Sequence, residues 1–391
     1  MLRSLFSGIS GLRAHQTMLD VTGNNISNVN TAGFKASQTQ FQDTLSQVLT
    51  NAGGAQQGVA GGTNPAQVGL GVRVAGITTN FQQGSSQLTN RSTDMMINGD
   101  GFFTVRNGAE QMYTRAGSFN FDSLGQLVTA DGSLVQGWAA DADGAVDTTG
   151  ALDTLQLPIT TLMGAKATQG VDFKGNLPSD AAVDTVLNRT IDVYDDRGNA
   201  SALAVTFTKA ATGWTVQTPF SGGPQPMTFT DRGALTGPAT IAGGPGVTVD
   251  LSTLTGYAGI TSVEAASQDG REAGSLQSFS LNADGTLMGS FSNGLKQAIG
   301  QIALASFANP TGLSKAGSSL FRTSVNSGEP MIGTAATGGR GSLAGGALEM
   351  SNVDLSSEFT SLIIAQRGFQ ANSRVITTSD ELLQELVNLK R

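Results

Sequence analysis

The sequence predicts a mainly β protein with terminal α-helices, in which discontinuous β domains lie one inside another and the two ends form a paired helical coiled-coil arm. Three observations carry this expectation. Apolar residues recur at steps of three and four at both ends of the 391 residues and give way to short strand-and-turn patterns between them. Gly makes up 52 residues, nearly twice the usual share of ~7%, and follows no collagen period, so it marks turns. Two Gly-rich stretches lie symmetrically inside the helical ends.

The first element is a helix. Leu2, Leu5, Ile9, Leu12, Gln16, Leu19, Gly23 and Ile26 fall at heptad spacing and form one narrow stripe. The last element repeats it. Leu355, Phe359, Leu362, Gln366, Phe369, Ser373, Ile376, Asp380, Leu383 and Val387 share a seam, widened by Ile363, Leu382, Leu386 and Leu389. Asn352 or Asp354 can cap its start, with Ser356 and Ser357 as nearby alternatives. The apolar stripe of a single such helix does not offset the entropy of ordering it. The ends, 1–33 with 350–391, are therefore expected to pair with each other and then with further copies. A plain intramolecular hairpin is the simpler alternative. The assembly residues expected on this reading are Leu2, Leu5, Ile9, Leu12, Leu19, Ile26, Phe359, Leu362, Phe369, Ile376, Leu383 and Leu386.

Next come the joints. Gly53, Gly54, Gly58, Gly61, Gly62, Gly69, Gly71 and Gly76 crowd one stretch, and Gly333, Gly338, Gly339, Gly341, Gly345 and Gly346 another. Residues 34–76 and 333–349 thus read as flexible connecting segments. Inside them lies a β body. Phe102–Arg106 runs into Asn107-Gly108, a hairpin signal, and Thr190–Tyr194 turns through Asp195–Asn199 into Ala202–Phe207. Ser118-Phe119-Asn120-Phe121 leading to Gly125 and Leu127 echoes Ser278-Phe279-Ser280-Leu281 leading to Gly285 and Leu287. Either hairpin chemistry converged, or two equivalent hairpins share one domain that an insertion splits. The second reading makes 77–147 with 272–332 an inner β domain and 148–271 an inserted outer β domain. From Asp141 to Asp196 there are ten Asp against Lys166, Lys174 and Arg189, nearly all of the chain's net charge of −8. That composition suits an exposed outer domain.

Composition removes several functions. With no Cys there are no disulfides, thiolate metal sites or Cys nucleophiles. His15 is the single imidazole, so no His cluster can hold a metal. The acidic balance lacks the basic stripe of a nucleic-acid binder. No apolar run is long enough to span a membrane, and the N-terminus is no convincing cleaved signal peptide. Asp141-Ala142-Asp143-Gly144 with Asp147 lacks the later ligands of a calcium loop and reads as a turn. Trp138 and Trp214 read as core residues. No catalytic constellation is present, and no cofactor or metal is expected.

Residues 24–35 read Asn24-Asn25-Ile26-Ser27-Asn28-Val29-Asn30-Thr31-Ala32-Gly33-Phe34-Lys35. This run resembles the signature of the flagellar rod and hook axial protein family. Asn98-Gly99-Asp100-Gly101-Phe102-Phe103, Tyr113–Phe119, Gly346–Asp354 and Ala365–Ser373 resemble the same family. Likeness covers 1–138 and about 275–391. Physically, Asn28, Asn30 and Gly33 tolerate left-handed backbone and can stop a helix, and Phe34 can staple the turn to the body. The size of the insert favours a hook-type over a rod-type member, which is the runner-up. The resemblance implies a non-enzymatic subunit. It would leave the cell through the flagellar type III export apparatus without a cleaved signal and polymerise into the curved tube that transmits motor torque. Implied partners are the chain itself, a distal rod protein, a hook cap protein and a hook–filament junction protein. The rival of another class is a secreted β adhesin or glycan binder.

Overall fold

The computed structural model describes residues 2–54, 61–157 and 162–389. Two long helices bracket the β-rich middle: α1, Leu2–Ser27, and α2, Leu355–Asn388. Asp354 caps α2, its side chain accepting from the amides of Ser356 and Ser357. Asn28 helps end α1, its Nδ2 donating to the Asn24 carbonyl at 2.9 Å. Of the three residues expected to turn left-handed there, only Gly33 does, at φ +69°. A side chain at Gly33 would also run into the backbone of Ala116, so glycine meets two demands at once.

The inner β unit is one extended sheet. Its path runs Leu276–Leu281, Thr286–Phe291, Lys296–Ile302, Leu134–Ala139, Phe102–Asn107, Glu110–Thr114, Leu320–Arg322 and Ser314–Gly317. Strands from before and after the insert therefore interleave. Its core gathers Met95, Ile97, Phe103, Phe119, Val135, Ile302, Leu304 and Leu343. The two echoed hairpins meet in it: Phe121 and Phe279 stack edge to face with centroids 5.5 Å apart. Their turns also match, with Gly125 at φ +77° and Gly285 at φ +87°. A smaller aromatic cluster, Phe102, Tyr113, Phe307 and Phe321 with Phe81, closes the other face.

The outer unit is built from two sheets. One has five strands from Val186 to Gly237, and the other orders Thr240–Gly244, Val247–Thr255, Gly170–Asn176 and Glu264–Gln268. Between them lie Phe173, Leu177, Val205, Phe207, Trp214 and Val249. Trp214 satisfies its indole N–H on the Pro178 carbonyl at 3.0 Å. The two cores share no residue. Trp214→Ala should therefore cost about 3–5 kcal/mol in the outer unit alone. In calorimetry the outer transition should fall in temperature while the inner one, followed by the fluorescence of Trp138, stays in place.

Three expectations need correction. The segment 333–349 is no open linker. Ser342–Gly345 pairs with Met95–Asn98, Ala347–Glu349 pairs with Ser86–Leu88, and Leu343 sits in the inner core. The segment 34–76 likewise forms antiparallel pairs, Ser37–Asp43 with Val72–Thr79 and Ser46–Thr50 with Ala66–Gly69. Gly58 lies outside the described residues. Finally, the inner unit runs past 147, because Leu155 belongs to its core. Glycine density signalled turns and close strand approaches there, and backbone pairing supplied the order.

Candidate assembly surface and its neck

The helices pair antiparallel, but through a different face from the one expected. A side chain at Gly8 would touch Ile376 at 3.3 Å, one at Gly11 would meet Asn372, and one at Gly368 would press on the His15 ring. Asn25 Nδ2 donates to Glu358 Oε1 at 3.0 Å. The seam is thus Gly8, Gly11, Ala14, His15, Thr22 and Asn25 against Glu358, Ala365, Gly368, Asn372, Ile376 and Ser379. Small and short polar residues let the backbones close in.

The apolar stripe of α1 is displaced from that seam by about one residue. Leu5, Ile9, Leu12, Leu19 and Ile26 are only half-buried. On α2, Leu362, Phe369, Ile376 and Leu383 are half-buried too, while Phe359 (50% exposed) and Leu386 (53%) face outward. The side chain of Leu2 lies outside the described residues. Residues not expected at the surface join them: Phe6, Ile363, Ile364, Leu382 and Val387 are exposed. The helix pair therefore carries a broad apolar surface that its own partner helix leaves uncovered. Such a surface marks an interaction site. Among the described residues no helix is long and apolar enough to cross a membrane.

Below the helices, the signature residues build a neck. Asn25 clamps the next strand, its Nδ2 donating to the Ser37 carbonyl at 2.8 Å and its Oδ1 accepting from the Ser37 amide at 3.0 Å. Thr31 donates to Asn28 Oδ1 at 3.1 Å. Asn24 and Asn30 are exposed. Phe34 lies beneath Lys315, whose Nζ stands 5.2 Å from the ring centroid. Asn352 bridges both chain ends, accepting from the Ala36 amide at 2.9 Å and donating to the carbonyls of Asn80 and Gln82.

At the centre of the neck is a buried ion cluster. Lys35 Nζ contacts Glu349 Oε1 at 2.7 Å, with both side chains wholly buried. Lys35 also donates to the Gln82 carbonyl at 2.7 Å, and Glu349 Oε1 accepts from the Gly84 amide at 2.9 Å. Arg115 Nη1 lies 3.6 Å from Glu349 Oε2 and donates to the Gly99 carbonyl at 2.9 Å. Its guanidinium rests over Phe102. The Gly33 amide donates to the Glu349 carbonyl at 2.8 Å. Burial pulls the Lys35 ammonium below its ordinary pKa despite the opposing pull of Glu349, and burial lowers Arg115 as well. Three segments far apart in the chain, around residues 35, 115 and 349, are thus tied by one carboxylate. Each sits in a motif noted above, but their convergence has no sequence signature. The available hint is that a chain only 13% charged places a Lys, an Arg and a Glu amid apolar and Gly-rich neighbours.

Glu358, at the helix seam, is shifted upward. Burial outweighs the hydrogen bond from Asn25, and the nearby charge of Asp354 adds to the rise. Across the seam the Asn25–Glu358 hydrogen bond adds to the close packing.

Comparison with known proteins agrees with this architecture. Residues 5–35 match the family model described as flagella basal body rod protein, 96–176 that of the flagellar hook protein FlgE/F/G D1 domain, and 344–389 that of the flagellar basal body rod FlgEFG protein C-terminal. Helical ends joined around a β body with these motifs define an axial protein of the bacterial flagellum. The flagellar hook protein FlgE of Borreliella burgdorferi is 40% identical over 448 residues, covering 100% of both chains. The chain belongs to the flagellar hook protein FlgE family. A Bacillus subtilis protein named flagellar basal-body rod protein FlgG is 36% identical over 393 residues, with 100% of each chain covered, so rod and hook subunits share this plan. The crystal structure of Helicobacter pylori flagellar hook protein FlgE2 has the same fold, with TM-score 0.54 at 15% identity over 68% of this chain and 100% of that one. The chain is accordingly a structural hook subunit that polymerises in the flagellum outside the cell.

Proposed function

We propose that copies of this chain join through the apolar flanks of the α1–α2 pair, with Leu5, Ile9, Leu12, Leu19, Ile26, Phe359, Leu362, Phe369, Ile376, Leu383 and Leu386 as the contact residues and Leu2 beside them. The observation that supports this is the displaced seam. Helices that meet largely through Gly, Ala, Asn and Ser keep most of their large apolar side chains for other molecules, with Ile376 packing on Gly8 at its inner edge and turning its outer edge to the flank. Head-to-tail contacts between unlike faces, repeated by a rotation that does not close into a ring, generate a helical tube. The inner and outer β units, with separate cores, would stack around it and move relative to each other as the tube rotates. The distal rod protein at the base, a cap protein at the growing end and a junction protein beyond it are the partners this reading implies. Export through the type III channel without a cleaved signal belongs to the same reading.

Negative-stain microscopy of the purified full-length chain in polymerising salt tests it. Curved tubes are the expected result. Straight rods would transfer the chain to the rod role, and persistent monomers with ordered helices would leave the pair as a purely intramolecular hairpin.

A further inference from the structure

In the Asp141-Ala142-Asp143-Gly144 turn the two carboxylates have different partners. Asp141 builds the turn, its Oδ1 accepting from the amides of Asp143 at 3.0 Å and Ala145 at 2.8 Å. Asp143 takes no part in that turn through its side chain and reaches toward the outer unit. The chain passes between the units through two antiparallel segments that meet at Met163 with Gly274 and at Lys166 with Arg271. Lys166 and Arg271 exchange backbone hydrogen bonds of 3.0 and 2.9 Å. Both of their side chains converge on Asp143: Lys166 Nζ lies 3.4 Å and Arg271 Nη2 3.6 Å from Oδ1.

Arg271 holds more than this carboxylate. Its side chain is 17% exposed, and it donates to the carbonyl of Ala142 at 2.8 Å. Gln297, from the inner sheet, donates to the same carbonyl at 2.8 Å. On the other side of the stalk, Gly198 of the outer unit's Asp195–Asn199 turn lies close against Ala165 and Ala273. Beside the cluster a cleft of about 550 Å³ opens between the inner sheet and the connecting segments, lined by Leu162, Met163, Phe291 and Ile299 among others.

We infer that Asp143, Lys166 and Arg271 form an electrostatic clasp that fixes the outer β unit at one angle on the inner unit and lets go under load. Among the described residues the two cores share no side chain, so no common core sets that angle. Domains joined by a small polar contact swing by default. A clasp of partly exposed charges is weak enough to open reversibly and is screened by salt. The use of such a clasp rests on the hook reading, because a bending tube needs subunits whose units change angle. The clasp itself is a property of the single chain.

The absence of Cys makes the test clean. Ala109→Cys on the inner unit and Ala182→Cys on the outer unit, both at exposed positions, accept a pair of spin labels in the full-length chain. Double electron–electron resonance on monomers should give a narrow distance distribution in low salt. Asp143→Asn, which leaves the Asp141 turn intact, and Arg271→Gln should each broaden it to the width the unsubstituted pair shows in about 1 M salt, where the screening length is ~3 Å. Melting of both units should be unchanged. An Asp143→Asn distribution as narrow as the parent's would overturn the clasp, as would broadening accompanied by loss of the outer unit's transition. The measurement needs no polymer, so a failure to form tubes would count against the hook reading and leave the clasp standing.

Discussion

Glu349→Ala is expected to cost the folded chain about 3–5 kcal/mol, because it leaves Lys35 buried without a counter-charge and Arg115 with the charge of Asp100 alone. The carboxylate is wholly buried and touches Lys35 at 2.7 Å, with Arg115 3.6 Å away. Lys35 keeps the Gln82 carbonyl and Arg115 keeps that of Gly99, but neither acceptor carries a charge. At a few degrees per kcal/mol the inner unit should melt on the order of 10 °C lower. The amides of residues 33–37 and 82–84, which the cluster organises, should lose hydrogen-exchange protection first. An exposed pair supplies the control. Arg322 and Glu110 lie 2.8 Å apart with both side chains half-exposed, and Arg322→Ala should cost less than about 1 kcal/mol. Similar melting of the two variants would show that the buried cluster is an ornament and not the tie between chain ends and body.

Leu12→Asp and Phe369→Asp are expected to abolish polymerisation while both β units stay folded. Each places a carboxylate on a half-buried apolar flank of the helix pair, away from the Gly–Asn seam. The lost burial alone is about 1.5–3 kcal/mol per contact, and desolvating the new charge adds to it. At 1.4 kcal/mol per factor of ten, the concentration needed for tubes should rise by about a hundredfold or more. Sedimentation of polymer from monomer, with calorimetry of the same samples, reads both quantities. Tubes from either variant at the parent's concentration would refute the proposed contacts. Loss of the β transitions would show instead that the arms hold the body together.

Much of the architecture was legible because it rests on local patterns. The 3.6-residue period at both ends requires helices whatever they pack against, and Asp354 caps the second as its position suggested. The S-F-x-apolar hairpins carry their own turn glycines, so their shape precedes their partners. Their meeting at Phe121 and Phe279 could only be posed as an alternative, since contact over 158 positions leaves no local trace.

The corrections share one cause. Periodicity located an apolar stripe within one residue of the seam, yet it assumed that the largest apolar side chains face the nearest helix. Close approach instead selected Gly8, Gly11 and Gly368, and most of the stripe was left half-buried or exposed on the flanks of the pair. Glycine counts in 333–349 read as flexibility, but Leu343 and the backbone of 342–349 find partners in strands some 250 residues earlier. The buried cluster of Lys35, Arg115 and Glu349 was invisible for the same reason. A charge in isolation reads as solvated surface, and only three distant segments folding onto one point turn it into a buried tie.

The sequence by itself determined helical ends, β middle, a chain with no Cys and a single His, and the family signature, because these follow from local geometry and composition. Only the tertiary structure decided which helix face is internal, which glycines are joints and which charges are structural. Those outcomes depend on what lies opposite each side chain, and that is settled by long-range packing.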